Sequence, residues 1–334
     1  MKPTTLVATL LLAGWTSSQA SVSSAPARPL SLLGTTGRGP VTMDYLGYEP
    51  ASDTVWVPGG NTGKVFVLDA VSEAVHEVSG FPTREQDGRI LGPSSVTFGP
   101  RAAYIGNRAD ASVCAVDLAT RQRGACVTLP STPDGLAYVE STQEVWATLP
   151  RVKGIAVLAA SPSGLSVTVQ AQLDGIPEGF AVDTRRGRFY TNLEDRDETL
   201  AIDLGSRAVV ARWKTGCGKN GPRGLALDSA RGMLFVACTD GFVVLLLERN
   251  GFQLAGLVTG DGVDNPAIVP ELRRLFAAAG RSGTLSFVAY DDAGRLSLLR
   301  RLATAPGVRV VVADKRGKAF AADSASGRIW IAGP

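Results

Sequence analysis

The sequence predicts an all-β fold, a seven-bladed β-propeller, and three observations carry that expectation. A segment recurs as Pro133-Asp134-Gly135-Leu136-Ala137, Pro177-Glu178-Gly179-Phe180-Ala181 and Pro222-Arg223-Gly224-Leu225-Ala226, at a spacing of about 45 residues. Each copy leads through a charged turn into a short apolar run, such as Glu144-Val145-Trp146-Ala147 or Met233-Leu234-Phe235-Val236-Ala237. A period of that length built from short runs corresponds to one four-stranded sheet per repeat. The third observation is at the chain ends. The last repeat stops after Gly327-Arg328-Ile329-Trp330-Ile331, one strand short, while Leu30-Ser31-Leu32-Leu33 is an apolar run with no sheet of its own. Donating that run to the last blade closes the ring and removes two exposed sheet edges.

Aligned on the repeat, first strands fall at 41–46, 94–98, 134–139, 178–183, 223–228, 264–269 and 309–314. Second strands follow at 54–58, 102–106, 144–148, 188–192, 233–238, 274–279 and 318–322, and third and fourth strands are readable in most repeats. The second strands carry Trp56, Trp146, Tyr190, Phe235, Phe276 and Phe320 at one recurring position, which reads as packing between blades. A longer connection, Phe81 to Gly92, separates the first two blades.

Of 334 residues, 45% are hydrophobic and 19% charged, enough apolar surface for one large core. A net charge of +3 without a Lys/Arg run argues against a nucleic-acid partner or an anionic membrane. Lys2, the apolar stretch Leu6 to Trp15 and Ser18-Gln19-Ala20 read as a cleaved signal peptide over residues 1–20, and the stretch is too short to span a bilayer. Residues 21–29 read as a flexible Ser/Ala/Pro lead-in and 30–334 as the propeller domain. The expected location is periplasmic or secreted, in a bacterium. Four cysteines suit that oxidising setting. Cys114 and Cys126 flank a strand–turn–strand, and Cys217 precedes a repeat whose second strand ends at Cys238, so the expected bridges are Cys114–Cys126 and Cys217–Cys238.

In a propeller the residues leading into each first strand surround the mouth of the central channel. Asp134, Glu178, Arg223, Asp264 and Arg309 occupy that position, and Asn192 lies on a loop of the same face between second and third strands. These six are the candidate ligand-binding residues. Other loops of that face add Asn61, Asn107, Arg108, Arg151, Glu194, Asp195, Asp240, Arg281 and Asp323, making it the polar, variable surface where binding concentrates. The acidic stretch from Asn192 to Glu198 lacks the glycine-punctuated spacing of a calcium loop.

The chain resembles the YVTN-type β-propeller repeat family, especially its exported YncE-like members. The residues that carry the likeness are Arg188-Phe189-Tyr190-Thr191-Asn192, Thr199-Leu200-Ala201-Ile202-Asp203, Ala208-Val209-Val210-Ala211-Arg212-Trp213, Gly221-Pro222-Arg223-Gly224-Leu225-Ala226-Leu227-Asp228 and Gly260-Asp261-Gly262-Val263-Asp264. The resemblance implies the fold and a binding or scaffold role without a shared catalytic set. The expected partner is a small polar ligand or an envelope protein or peptide, held by a monomer without a cofactor.

A second, looser similarity is to SMP30/gluconolactonase-like lactonases, which hold one divalent metal at the channel mouth with Glu, Asn and Asp. It implies an alternative set of Glu178, Asn192 and Asp264 binding calcium or zinc for a hydrolase, although Arg223 and Arg309 occupy neighbouring positions and oppose a cation. Other chemistry finds little material. His76, the only histidine, sits on an outer strand, which excludes a multi-histidine metal site and leaves a Ser-His-Asp triad badly placed. Neither GxSxG nor GxxxxGK[ST] occurs.

Overall fold

The computed structural model describes residues 26–32, 39–161, 164–218 and 221–334. Among these residues the chain forms seven four-stranded antiparallel sheets and one two-stranded hairpin. Blade 4 shows the pattern, with Pro177–Asp183, Arg188–Leu193, Glu198–Asp203 and Val209–Lys214 paired in sequential order. The expected signal peptide and residues 21–25 of the lead-in lie outside the described residues.

Burial across each sheet follows its place in the ring. Second strands such as Met233–Cys238 are buried at every residue, because a neighbouring blade covers both of their faces. Their sequences are therefore continuous apolar runs rather than alternating ones. The outermost strands alternate or are exposed, as in Val209–Lys214. Trp56, Trp146, Tyr190, Phe235, Phe276 and Phe320 are all among the largest fully buried side chains, so the recurring aromatic position is core. His76 is exposed on its outer strand.

Ring closure comes from Arg28–Ser31, which pairs antiparallel with Arg328–Ala332, Leu30 lying opposite Ile329. The strand thus begins two residues before the expected Leu30, and Leu33 lies outside the described residues. Pro29 is accommodated because this strand is the outermost of its sheet, where a missing N–H faces away from the ladder. Leu32 follows with its N–H on the Gly327 carbonyl at 3.1 Å and its side chain buried. The seam between the last and first blades carries three further ties. Arg28 pairs with Glu73, Lys318 Nζ reaches the same carboxylate at 2.8 Å, and Arg316 donates to Asp53 at 2.5 Å.

Four first strands start later than the repeat suggests, by one or two residues in blades 7 and 3 and by more in blades 1 and 6. In blade 1 the strand is Gly47–Glu49 rather than 41–46, and in blade 6 it is Ala267–Val269 rather than 264–269. The displaced residues bond to other partners instead of their own ladder. The Tyr45 N–H donates to the Ser94 carbonyl, the Gly60 N–H to the Thr42 carbonyl, and the Asp264 N–H to the Arg309 carbonyl at 3.1 Å. Pro266, just before the blade 6 strand, has no N–H to give. The Phe81 to Gly92 connection contains a hairpin, Arg84–Gln86 with Arg89–Leu91, turned by Asp87 and Gly88, both at positive φ.

The glycine of the repeated segment has a packing reason. A Cβ on Gly179 would lie 2.4 Å from the Gly224 Cα and 2.5 Å from the Arg223 carbonyl oxygen, and one on Gly224 would lie 2.3 Å from the Asp264 carbonyl oxygen. First strands of adjacent blades converge on the axis there, and backbone cannot step aside as a side chain can. We expect Gly179→Ala to destabilise the fold by about 2–3 kcal/mol through overpacking, read as a lower urea midpoint, with Gly205→Ala within about 0.5 kcal/mol as the control. Equal midpoints for the two variants would refute the close approach.

Candidate functional site

Six of the seven residues at the first-strand lead-in position converge on one cavity of about 690 Å³ at the channel mouth: Asp44, Asp134, Glu178, Arg223, Asp264 and Arg309. The seventh, Ser94, lies buried with its hydroxyl unbonded. Arg108, from the loop after a blade 2 second strand, completes the wall. Tyr45 stands at the base. Its hydroxyl donates to Asp134 at 3.1 Å, its ring stacks on Phe180 at 5.7 Å, and both rings line a second, more apolar cavity of about 320 Å³ deeper in the channel. The mouth is therefore a charged cup, with the two aromatic rings lining a separate cavity.

Charges in the cup are paired, but unevenly. Arg108 bridges Asp44 at 2.5 Å and Asp134, and its Nε donates to the Pro133 carbonyl at 3.4 Å. Arg309 reaches Asp264 at 3.3 Å and Asp44 at 3.6 Å while its side chain stays 53% exposed. Arg223 is drawn toward the rim by Glu194 and Thr239, leaving Glu178 only a 3.7 Å contact with it. Glu178 is thus the carboxylate with the least compensation.

The electrostatics follow from that geometry. Burial, reinforced by the charges of Asp134, Asp264 and Glu194, pushes Glu178 well above the usual carboxylate range. Burial also raises Asp134, against the pull of Arg108. Asp264 is raised to about 6 by burial, with Arg309 opposing the shift and Asp44 adding to it. Burial opposes the Arg108 cation, yet Asp44 and Asp134 carry its pKa upward. Near neutral pH the cup therefore holds both fixed guanidinium donors and, in Asp264, a carboxyl group poised to gain or lose a proton.

Asp264 gives a pH prediction with a definite sign. Its folded pKa of about 6 exceeds the ordinary 3.8, so the native state binds the proton more tightly than the unfolded chain. Stability from this group is fully present below about pH 4 and is lost as pH rises through about 6, roughly 3 kcal/mol in all. We expect the stability difference between Asp264→Asn and wild type to move by about that amount in the variant's favour from acid to neutral pH, measured by urea unfolding. A difference independent of pH would contradict the assignment.

Asn192 is not brought to the cup. It is fully buried, its Nδ2 donates to the carbonyls of Arg223 at 2.6 Å and Gly224 at 3.2 Å, and its Oδ1 accepts from Thr199 at 2.7 Å. It clasps blade 4 to blade 5 and leaves no oxygen for a metal beside Glu178 and Asp264. The acidic stretch around it is likewise split among separate partners. Asp195 pairs with Lys153 at 3.0 Å, Asp197 accepts from the Cys217 N–H at 3.0 Å, and Glu198 pairs with Arg212 at 3.2 Å. Asn61 and Asn107 are also loop pegs, bonded to the Pro40 and Pro82 carbonyls. Asp44 is the residue that sequence reading missed as a ligand candidate. Met43-Asp44-Tyr45-Leu46 carries it at the same offset as Pro133-Asp134-Gly135-Leu136, but without the flanking Pro and Gly that marked the others.

Both expected disulfides are present. Cys114 and Cys126 face each other across adjacent strands of blade 2, and Cys217, in the connection leaving blade 4, bonds Cys238 at the end of a blade 5 strand. Two bridges suit an oxidising compartment. Among the described residues no helix is long and apolar enough to cross a membrane.

No family model matches the chain. No curated protein matches it either. Solved structures do, in shape. A chain of the crystal structure of the mitotic checkpoint complex superposes with a TM-score of 0.76 at 13% identity, covering 99% of this chain and 99% of that one. The RRP9 WD40 repeats give 0.76 at 12% identity, covering 92% of this chain and 98% of that one. A chain of Kuenenia stuttgartiensis hydrazine synthase gives 0.69 at 16% identity over 87% and 95%. Such identities define the fold and nothing narrower. The protein is a seven-bladed β-propeller, and WD40 propellers are among the structures it superposes on.

Proposed function

We propose that this chain is an exported binding propeller of the YVTN type, YncE-like, whose channel mouth takes up a small polar ligand bearing both a cationic and an anionic group. The carrying observation is the asymmetry inside the 690 Å³ cup: Glu178 is undercompensated while Arg309 keeps half of its side chain open to solvent. An ammonium beside Glu178 and Asp264 relieves the crowding of carboxylates, and a carboxylate of the same ligand meets Arg309. The volume lies in the ordinary range for small-ligand sites, roughly 300–1,000 Å³. The disulfides and the N-terminal Lys2 to Ala20 pattern support export to a periplasm or beyond. The mitotic checkpoint neighbour is by description part of an assembly, so the rim of this fold is also a place to hold an envelope protein or peptide.

A thermal-shift screen of free amino acids and dipeptides tests the reading. At about 5 mM, a true ligand with a Kd near 0.1 mM raises stability by about 2 kcal/mol in wild type and much less in Glu178→Gln and Arg309→Gln. No shift with any zwitterion, or shifts equal in all three proteins, would defeat it. Calcium and zinc arms in the same screen address the lactonase alternative, whose Glu178, Asn192 and Asp264 set has its asparagine committed to backbone carbonyls. A metal-induced shift lost in Asp264→Asn would revive that alternative.

A further inference from the structure

Another cavity, of about 580 Å³, opens between blades 6 and 7 on the face opposite the mouth. One cross-strand row of blade 6 builds it. Phe276 lies opposite Phe287, and Phe287 opposite Arg300, so all three present the same side of the sheet toward blade 7. The two rings meet edge to face at 5.0 Å, and the Arg300 guanidinium lies 3.9 Å over the Phe287 centroid. Leu272 and Leu299 flank this floor, 40% and 50% exposed.

The charge is the feature that bears on a ligand. Arg316 at the edge of the cavity is ion-paired with Asp53 and Asp314. Among the described residues neither Arg300 nor Arg274, which also lines the cavity, has a carboxylate partner. Arg300 donates to the Gly333 carbonyl and Arg274 to the Leu272 carbonyl at 3.3 Å. Burial, with no anion to oppose it, lowers the Arg300 pKa. A half-buried guanidinium held only by a ring face and a carbonyl has unused donors in a fixed fork, the geometry that fits a carboxylate.

We infer that this inter-blade cavity is a binding site for a small amphipathic carboxylate, its acid group on Arg300 with Arg274 nearby and its apolar body over Phe276, Phe287 and Leu299. An apolar floor with few placed polar groups is the usual composition of a small-ligand pocket, and this site is chemically unlike the charged cup. The inference does not depend on the mouth being a site.

Calorimetric titration with 4-phenylbutyrate and with its neutral counterpart 4-phenylbutanol tests the inference. The acid is expected to bind wild type with a Kd below about 1 mM and at least about tenfold more tightly than the alcohol. Arg300→Gln should bring the acid down to the alcohol's affinity, while Arg300→Lys retains part of the preference. Leu299→Glu, at an exposed position that the fold tolerates, should repel the acid and so serves if Arg300→Gln is unstable. Equal binding of acid and alcohol, no heat from the acid up to about 10 mM, or an affinity unchanged in Leu299→Glu would overturn the assignment. Loss of acid binding in Arg309→Gln but not Arg300→Gln would place the acid in the cup and equally end it.

Discussion

Deleting residues 26–32 should abolish the stable fold, with loss of the cooperative unfolding transition and elution as aggregate. The strand Arg28–Ser31 supplies the fourth ladder of its blade, and Leu32 buries its side chain behind it in a core shared by blades 7 and 1. Leu32 alone contributes about 2 kcal/mol by burial, and Leu30 adds to it. The Arg28 pairing with Glu73 goes too. Beyond those losses, Arg328–Ala332 becomes an unpaired edge carrying Ile329 and Ile331, a template for association with other chains. Against a typical total of about 5–15 kcal/mol, a loss of this kind is close to the whole margin. A synthetic peptide of residues 26–32 added in trans should restore part of the transition. A deleted chain that melts like wild type would show that the ring does not depend on its donated strand.

Replacing Arg108 is the second large effect. Its guanidinium sits between Asp44 and Asp134, whose side chains are 14% and 13% exposed, and among the described residues no other cation pairs with Asp134. Arg108→Gln leaves two mostly buried carboxylates facing each other, and breaking one side of such a cluster costs about 3–5 kcal/mol. The cost has a pH signature. Burial already raises the Asp134 carboxyl, and without Arg108 the cation that opposes that shift is gone, so the variant's deficit is smallest in acid and grows as pH rises through that raised value. Urea unfolding at acid and mildly alkaline pH reads this directly. A deficit that shrinks toward alkaline pH would mean the cluster is not what Arg108 neutralises.

What could be read from the sequence divides along physical lines. The blade count, the aromatic position and the disulfides were legible because each rests on a local repeat. Trp146 and Tyr190 mark the same layer, and Cys114 and Cys126 bracket a single turn. The lead-in charges Asp134, Glu178 and Arg223 were legible for the same reason, as offsets within the repeat. Non-local choices were not. Met43 and Tyr45 leave their own ladder because Ser324 of blade 7 and Ser94 of blade 2 offer them partners, which no period-2 pattern in blade 1 announces. Asn192 looked like a loop ligand, but it is pulled inward by carbonyls of blade 5 that are distant in sequence. Arg28 and Pro29 read as the end of a Ser/Ala/Pro lead-in, whereas an outermost strand accommodates Pro29. The Asp87-Gly88 turn is a strong hairpin signal, yet its flanks Arg84-Glu85-Gln86 and Arg89-Ile90-Leu91 lack hydrophobic alternation.

The claim on which the functional account rests is that the cup formed by Glu178, Asp264 and Arg309 is occupied in use. Native mass spectrometry of freshly isolated wild-type protein beside Glu178→Gln and Arg309→Gln puts the question most directly. The account predicts a discrete small-molecule adduct on wild type that is lost or strongly reduced in both variants. Bare protein in all three, or an adduct indifferent to the two substitutions, would contradict it.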